Sequence, residues 1–472
     1  MKHIKKISFF MALALITLNC SDKIDDIVPE DDLSADVIFS TFSTIEATTV
    51  GIYDGMQDGA FIGVPEMIND FTADNVDFVG SFTTLQDIRD FNANATNNTI
   101  AGAWFDLFDV IRDANNILVN LPSVDPANLS FVNSANSTNF ETLRAQFLGE
   151  ARFARALSTF QGANTFAQPF QFSNGSSPGM PLVVDFFEGD ITPFQLPRVT
   201  LNETHAFIEQ DLIMAMNSLP ESNGIRASST AARALLARLY LYREQWTDAA
   251  NMANAVINTS GFSLAPDFTF YNNPSTEHIF RVINQADDPA FDTNFDTFYN
   301  PTSNNGRGDL PFSQDLIDAF MAEPGDLRFD ISILSVDAGN NDARFTSKYP
   351  NGATGESDPN VLRMGEVYLN RAEANFRGGT SIGDTPLNDV NAIRARAGLA
   401  PLASITLDDI LLERRKELCF EGHRRLDLLR NNSNLKPNNP SAISEPGSNM
   451  VILPIPADEL NINPNIQQNP GY

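Results

Sequence analysis

A helix-pair pattern at residues 231–258, "AARALLARLYLYREQWTDAANMANAVIN", constrains the fold more than any other stretch of this chain. Leu235, Leu239 and Tyr242 recur at the spacing of one helix face. The letters "REQW" interrupt this spacing, and Thr247 is placed to cap a second helix. The expected buried stripe of the second helix is Ala249, Ala253, Val256 and Ile257. The stretch therefore predicts two consecutive helices that pack on each other.

The same stretch is similar to a tetratricopeptide helix pair. Leu236-Ala237-x-x-Tyr240 is followed by Trp246 at the start of the second helix. Ala253 stands where that repeat usually has phenylalanine, so the two helices can approach closely. We interpret Trp246 as a core residue rather than a ligand-binding one.

Helical spacing recurs elsewhere along the chain, between long segments that lack it. In one run, Leu362, Leu369 and Phe376 are seven residues apart, and in another Thr406 is a plausible helix cap. Cys419 falls in an apolar stripe of the latter run and is expected to be buried. The segments without helical spacing are about 59–98, 166–200 and 262–360. Irregular segments of this length inside a compact chain are usually functional.

The N-terminal residues have the pattern of an export signal. Three lysines precede an apolar run at residues 7–18, which is shorter than the ~20 residues needed to span a bilayer. Residues 1–19 therefore predict a signal peptide. Leu18-x-Cys20 resembles a bacterial lipobox, which implies that Cys20 is the lipidated N-terminus of the mature protein. Residues 20–36 are acidic and polar, and predict a flexible tether.

Composition limits the partners and the means of stabilisation. The chain has 60 acidic and 31 basic residues, for a net charge of -29. Such a chain is expected to repel nucleic acid and anionic lipid head groups. Cys20 and Cys419 are the two cysteines, so a lipidated Cys20 leaves no intrachain disulfide. Stability must then come from the core, which is large in a chain of 472 residues.

Several long motifs, taken together and in order, resemble the SusD/RagB family of outer-membrane nutrient-binding lipoproteins. The motifs are "FDVIRDANNIL", "GEARFARAL", "AARALLARLYLY", "VLRMGEVYLNRAEA", "VNAIRARAGL", "ERRKELCFEGHRRLDLLR" and the terminal "LPIPADELNINPNIQQNPGY". The resemblance covers nearly the whole chain. It implies a mainly α fold over 37–472, in which tetratricopeptide-like helix pairs pack against an irregular ligand-binding lobe, with a docking segment at 451–472.

The same resemblance implies a location and a partner. Proteins of this family work at the outer membrane with a SusC-like TonB-dependent transporter barrel, which they cover as a lid. Their usual ligands are oligosaccharides and, less often, peptides. In Bacteroidetes, an acidic stretch directly after the lipidated cysteine resembles the signal that sends lipoproteins to the cell surface.

The charged C-terminal motifs can also be explained as ion pairs along helices. Arg414, Arg415, Arg424 and Arg425 lie three or four residues from acidic side chains such as Glu417. Pairs at this spacing along a helix contribute about 0.2–0.5 kcal/mol each. We interpret these residues as scaffold and not as a binding site.

Signals for catalysis are weak. The histidines show no metal-binding spacing, and no CxxC motif is present. "GSSPG" centres on Ser177 but is followed by Pro178 and a strand-like run, not by the helix of a nucleophile elbow. "DAGNND" at 337–342 has calcium-like oxygen spacing but lacks two EF-hand positions, so we interpret it as a polar turn with calcium as the weaker alternative. We expect no enzymatic activity and no cofactor.

A binding role can be assigned to two clusters of loop aromatics. Sugars are held by aromatic faces together with amide, carboxylate and guanidinium groups. The chain has 36 Phe and 8 Tyr, whereas both tryptophans fall in predicted helices. Family resemblance places ligand contacts in two loop regions, one before the first helix pair and one in the central lobe. The candidates are Asp74, Asn75, Phe78 and Phe82 in the first and Phe298, Tyr299, Asn304 and Arg307 in the second.

The first functional hypothesis is a non-catalytic, cell-surface glycan-binding lipoprotein that delivers nutrient to a transporter barrel. The alternative within the same machinery is a peptide ligand, which the acidic composition and the lack of loop tryptophan favour. A surface glycoside hydrolase and a tetratricopeptide adaptor are further alternatives. The hydrolase would depolymerise a bound glycan, and the adaptor would not need a lipid signal.

Overall fold

A computed structural model describes residues 35–472 except 60, 132, 187–188, 286, 290–294 and 338–339. Cys20, the signal peptide and most of the acidic tether lie outside the described residues. Between residues 35 and 218, the helices account for all the α and β elements that the structure describes, and loops separate them. These helices are α1 (Ala35–Ile38), α2 (Phe42–Gln57), α3 (Gly63–Phe71), α4 (Thr83–Arg89), α5 (Asn98–Asn120), α6 (Ser134–Thr138), α7 (Phe140–Phe166), α8 (Phe170–Ser173) and α9 (Leu201–Ser218).

The second half adds short strands to further helices. The helices are α10 (Ser229–Tyr242), α11 (Trp246–Ile257), α12 (Phe295–Tyr299), α13 (Gln314–Met321), α14 (Leu327–Asp330), α15 (Met364–Gly378), α16 (Pro386–Arg396), α17 (Leu407–Leu418), α18 (Arg424–Arg430) and α19 (Ala457–Ile462). The strands are β1 (His278–Arg281), β2 (Ile333–Asp337), β3 (Asn340–Phe345) and β4 (Asn360–Arg363). β1 pairs antiparallel with β4, and β2 with β3. The predicted mainly α fold is confirmed.

The long helices form one continuous array. In chain order, α2 packs on α5, α5 on α7, α7 on α9, α9 on α10, and α10 on α11. α11 then packs on α15, which also contacts α16 and α17. The apolar faces merge into one large core, so each helix buries its stripe against its neighbours in sequence. The segments expected to lack helices are only partly irregular: 59–98 contains α3 and α4, 166–200 contains α8, and 262–360 contains α12, α13 and α14. Their remaining residues form the loops described below.

The predicted helix pair at 231–258 is α10 and α11, with one difference at its turn. Ala249, Ala253 and Val256 are fully buried, as expected. Thr247 does not cap α11: the helix already begins at Trp246, so Thr247 lies in its first turn. Trp246 is partly buried against the core, and the Arg377 guanidinium lies 5.1 Å from its ring centroid.

Of two further predictions about where helices begin, one is confirmed and the other is wrong. Thr406 caps α17 in a reciprocal capping box with Asp409, as its position predicts. The seven-residue spacing that begins at Leu362 does not belong to a single helix. Leu362 lies in β4, and α15 starts at Met364, because the ladder with β1 takes the backbone hydrogen bonds of residues 360–363.

The arginines of the charged C-terminal motifs pair mainly with acids of distant segments, although Arg430 also pairs with Asp427 three residues before it, at 2.8 Å. Arg363 Nη1 lies 2.6 Å from Glu417 Oε1, and Arg363 Nε lies 2.6 Å from Glu421 Oε2. Arg396 reaches the same Glu417 oxygen at 2.5 Å. Burial alone raises the pKa of Glu417, but Arg396, Arg363 and Arg328 outweigh it and hold that pKa well below its usual range. The scaffold interpretation therefore holds, although the expected local partners were wrong.

A second group of buried pairs joins α15 to α17 and α18. Both Arg430 Nη atoms lie 2.6 Å from the Glu373 carboxylate, and Arg414 Nε lies 2.8 Å from Asp427 Oδ2. Burial raises the pKa of Glu373, but the charge and hydrogen bonds of Arg430 prevail and lower it to about 2. Breaking one partner of such a pair leaves an uncompensated charge in the interior.

Candidate ligand-binding surface

The two loop regions predicted to bind ligand lie side by side. Asp77 N–H donates to the Pro311 carbonyl at 3.1 Å, and Val79 N–H donates to the Asp309 carbonyl at 2.9 Å. These bonds join the loop after α3 to the loop after α12, more than 200 positions apart in the chain. The sequence placed candidates in both regions, and the structure brings both into one surface.

The exposed part of this surface is an aromatic ring with a guanidinium over it. Phe82 is 43% exposed, and the Arg307 guanidinium carbon lies 4.3 Å from its ring centroid. Below it, the Phe298 ring packs at 5.9 Å between centroids. Arg307 Nε–H donates to Asp309 Oδ2 at 2.6 Å, which fixes the guanidinium. We call Phe82, Arg307, Phe298 and Asp309 the Phe82–Arg307 platform.

The backbone beside the platform passes very close to its neighbours. A Cβ at Gly80 would lie 2.7 Å from both the Phe78 ring and the Asp309 carboxyl carbon. Glycine is therefore required for the chain to run over Phe78 and present the following residues outward. Asp77 and Val79 flank this point and are exposed.

Three of the aromatic candidates lie in the interior. Phe78 and Phe298 are 2% exposed, and Tyr299 is fully buried. The Tyr299 hydroxyl donates to Asp70 Oδ2 at 2.9 Å, and its ring stacks on Tyr349. Burial raises the pKa of Asp70 to about 7, although the Tyr299 hydrogen bond opposes this shift. Phe298 supports the platform from beneath, whereas Phe78 and Tyr299 are core residues of the loops.

Asp74 and Asn75 are engaged by arginines near the C-terminus. Arg424 Nε and Nη2 lie 2.6 and 3.0 Å from the two Asp74 oxygens, and Arg415 Nη2 lies 3.1 Å from Oδ2. Arg415 Nε–H also donates to Asn75 Oδ1 at 2.9 Å. Burial raises the pKa of Asp74, but Arg424 and then Arg415 outweigh it and lower the pKa. Both side chains are buried and hold the loop in place, so they present no surface to a ligand.

Asn304 has a bracing role at the edge of the same surface. Its half-buried amide donates from Nδ2 to Asn300 Oδ1 at 2.8 Å and to the Pro350 carbonyl at 3.1 Å. These bonds tie the loop that carries Arg307 to the segment after β3. Of the eight residues predicted to contact ligand, Phe82 and Arg307 are the two with exposed side chains.

Asp309 was missed by the sequence reasoning. It is 6% exposed, and it fixes Arg307 through its carboxylate and Val79 through its carbonyl. The available signal was the short spacing in "RGD", in which an acid two residues after Arg307 can fold back on it.

The structure also describes the surroundings of the positions considered for catalysis and for metal binding. Ser177 follows the short helix α8, whereas a nucleophile elbow requires a strand before the serine. Of the segment 337–342, Asp337 ends β2 and residues 340–342 begin β3, with Asp337 paired to Asn340, whereas 338 and 339 lie outside the described residues. Within the described ranges, no group of three or more His, Cys, Asp or Glu side chains is arranged to hold a metal ion.

The helical array with its inserted loops defines the fold class as mainly helical, and comparison with known proteins identifies the family. A model described as "SusD family" matches residues 339–472, and one described as "Starch-binding associating with outer membrane" matches residues 26–241. A "SusD-like protein" of Bacteroides ovatus is 23% identical over 90% of this chain and 82% of its own length. The chain belongs to the SusD/RagB family.

Solved structures share this fold over nearly their whole length. A SusD superfamily protein from Bacteroides thetaiotaomicron is 25% identical, with a TM-score of 0.80 over 91% of this chain and 100% of that one. Surface glycan-binding protein A from Bacteroides uniformis has a TM-score of 0.73 at 21% identity, over 91% of this chain and 99% of its own. At that identity, the second similarity concerns the fold alone.

Among the described helices, none combines the length and the apolar character that crossing a membrane requires.

Proposed function

We propose that this protein is a cell-surface lipoprotein that binds an oligosaccharide without chemical change and delivers it to a SusC-like TonB-dependent transporter. The observation that carries the proposal is the exposed Phe82–Arg307 platform at the junction of two loop regions. Membership of a family with a starch-binding, outer-membrane description supports the ligand class and the location.

The chemistry of the platform suits a sugar ring. The exposed part of the Phe82 ring offers an apolar surface to the C–H groups of a pyranose, beside the Arg307 guanidinium that lies over the ring. Arg307 carries planar N–H donors that match ring hydroxyls, and Asp309 takes its Nε–H, so the side chain is fixed before ligand arrives. Recognition by stacking and hydrogen bonding needs neither a nucleophile nor a metal ion.

The anchor is part of the proposal. Cys20, outside the described residues, would carry the acyl chains, and two or more chains hold a protein stably at a membrane. The fifteen or so residues between Cys20 and α1 would act as an acidic tether, and a flexible tether of that length lets the folded part move relative to its anchor.

The test is a binding screen with the full-length Cys20→Ala chain, which cannot be lipidated. Isothermal calorimetry against a panel of plant, algal and bacterial polysaccharides should find one that binds. Phe82→Ala and Arg307→Ala should each weaken that binding at least about tenfold, equivalent to about 1.4 kcal/mol. Phe172→Ala is the matched control, because Phe172 is 53% exposed and lies outside the platform.

Other outcomes contradict the proposal in distinct ways. Binding of peptides but of no glycan, weakened by Phe82→Ala, would assign the same surface to peptide capture. Shortening of the bound polysaccharide would show an enzyme. Glycan binding unchanged in both platform variants would place the site elsewhere.

A further inference from the structure

A second cavity, separate from the platform, lies between α5, the loop residues 181–185 and 191–195, and α19. Its volume is about 270 Å³, and we call it the α5–α19 groove. Three large apolar side chains at its surface are strongly exposed: Phe105 at 39%, Ile191 at 50% and Ile462 at 55%. Phe108 is half-buried and forms part of its lining. Clustered exposed apolar side chains mark interaction sites, whereas scattered ones do not.

The walls of the groove are held in place by hydrogen bonds to backbone carbonyls. Asn115 Nδ2 donates to the carbonyls of Val183 and Asp185, each at 3.1 Å, which fixes the loop against α5. Gln195 Nε2–H donates to the Ile462 carbonyl at 2.7 Å, which joins the far end of the loop to α19. A preformed cavity loses little entropy when it is filled, so the exposed apolar surface is ready for a ligand.

The rim of the groove is acidic. Asp109, Asp185 and Glu459 lie around the apolar floor. Arg112 also lines the groove, but its guanidinium contacts Asp109 at 2.8 Å and Asp113 at 3.1 Å. The Arg112 guanidinium is thus paired with two acids, and the remaining charge of the rim, from Asp185 and Glu459, is negative. Such a rim attracts positive groups at short range and repels negative ones.

We propose that the α5–α19 groove binds a short peptide segment of a partner protein, in which a large apolar side chain is flanked by lysine or arginine. The apolar side chain would occupy the cavity, and the basic residues would face Asp185 and Glu459. The branched aliphatic side chains of Ile191 and Ile462 offer no flat face for a sugar ring. The acidic tether of this chain at 20–36 has the wrong charge for the rim.

The probe for this proposal is a fluorescein-labelled peptide in which Leu-Phe is flanked by two lysines on each side. Its binding to the full-length Cys20→Ala chain is measured by fluorescence anisotropy, in low salt and in 0.5 M NaCl. We expect saturable binding that weakens with salt, since rim charges are screened. The Phe105→Ser and Ile462→Ser variants should each bind at least about tenfold more weakly, the loss expected for a buried apolar anchor.

Matched controls separate the apolar contribution from the charge. Asp185→Asn should weaken binding severalfold and reduce the salt dependence, whereas Ile443→Ser, at an exposed isoleucine outside the groove, should change nothing. A peptide with glutamate in place of each lysine should not bind. The proposal is overturned by absence of binding at millimolar peptide, by equal binding of the glutamate peptide, or by unchanged affinity in both groove variants.

The glycan experiment is independent of this one. Phe105→Ser should leave polysaccharide binding at the platform unchanged, and Phe82→Ala should leave peptide binding unchanged. Displacement of the peptide by a bound polysaccharide would show that the groove is a sugar site and would overturn the assignment to a peptide.

Discussion

Replacing Asp70 with asparagine should stabilise the protein, and more so at pH 8 than at pH 5. The Asp70 carboxyl lies in the interior, where Tyr299 donates a hydrogen bond to one of its oxygens. Its pKa is raised from 3.8 to about 7, because burial disfavours the charged form more than its hydrogen bonds favour it. Asparagine retains an acceptor oxygen for the Tyr299 hydroxyl and carries no charge.

The magnitude follows from the two pKa values. Below pH 3.8, the carboxyl is protonated in both states and contributes nothing to the pH dependence. As the pH rises, the unfolded chain releases the proton first, so folding becomes less favourable until the pH passes about 7. At 1.36 kcal/mol per pKa unit, the resulting cost is about 4 kcal/mol at pH 8 and about 2 kcal/mol at pH 5. The stabilisation by Asp70→Asn should therefore differ by about 2 kcal/mol between the two pH values.

The assay is urea unfolding of the wild-type chain and of Asp70→Asn at both pH values. The difference between the two pH values cancels pH-independent effects of the substitution, such as altered packing. His205 and His423, whose pKa values are lowered by burial, are present in both proteins and also cancel. Asp54→Asn, at an exposed position, is the control and should show no difference. Equal effects of Asp70→Asn at pH 5 and pH 8 would refute the reasoning.

Three further substitutions test the scaffold by thermal and urea unfolding. Gly365→Ala should destabilise by about 1–3 kcal/mol, because its Cβ would lie 2.3 Å from Arg363 Nη1 in the buried network; an unchanged Tm would contradict this packing. Thr406→Ala removes a helix cap and should cost about 1 kcal/mol, whereas Thr406→Ser should cost little. Glu373→Gln should cost about 3–5 kcal/mol at neutral pH, since Arg430 keeps Asp427 but loses the charge of its bidentate buried partner. The stability contributed by Glu373 is present above pH 4.5 and should be lost as the pH falls from there towards 2, so the variant should approach the wild type in acid.

Local sequence patterns predicted the features that depend on neighbours along the chain. The α10–α11 pair followed from the spacing of Leu235 and Leu239, and the cap at Thr406 from its place before an apolar run. Cys419 is buried as expected, but α17 ends at Leu418, so Cys419 lies just beyond the helix and not in its apolar stripe. Thr247 and Leu362 show the limit of such patterns. α11 begins before Thr247, so that residue is not the cap, and Leu362 pairs with β1 in a strand and does not join the helix that follows.

The loop residues could not be sorted in the same way, because their exposure depends on distant contacts. No feature of the neighbouring sequence distinguishes Phe82, which is exposed, from Phe78, which is buried in the core of the loops. Asp74 is a suitable sugar ligand by chemistry, and the arginines that bind it lie in another part of the sequence. Phe105 lies in α5, and its exposure in the groove depends on where α19 docks, about 350 residues further along the chain.

The pairing of Asp74 with Arg424 also determines when the ligand surface can form. These residues are 350 positions apart, and Arg424 lies within the last fifty residues of the chain. A nascent chain therefore lacks the partner that fixes the loop after α3 until 350 further residues have been synthesised. Contacts between such distant residues form late, because closing a long loop costs entropy before any contact compensates for it. If this chain is exported as its N-terminus predicts, that delay would keep it open while it is threaded across the inner membrane, and the ligand surface would form only after translocation.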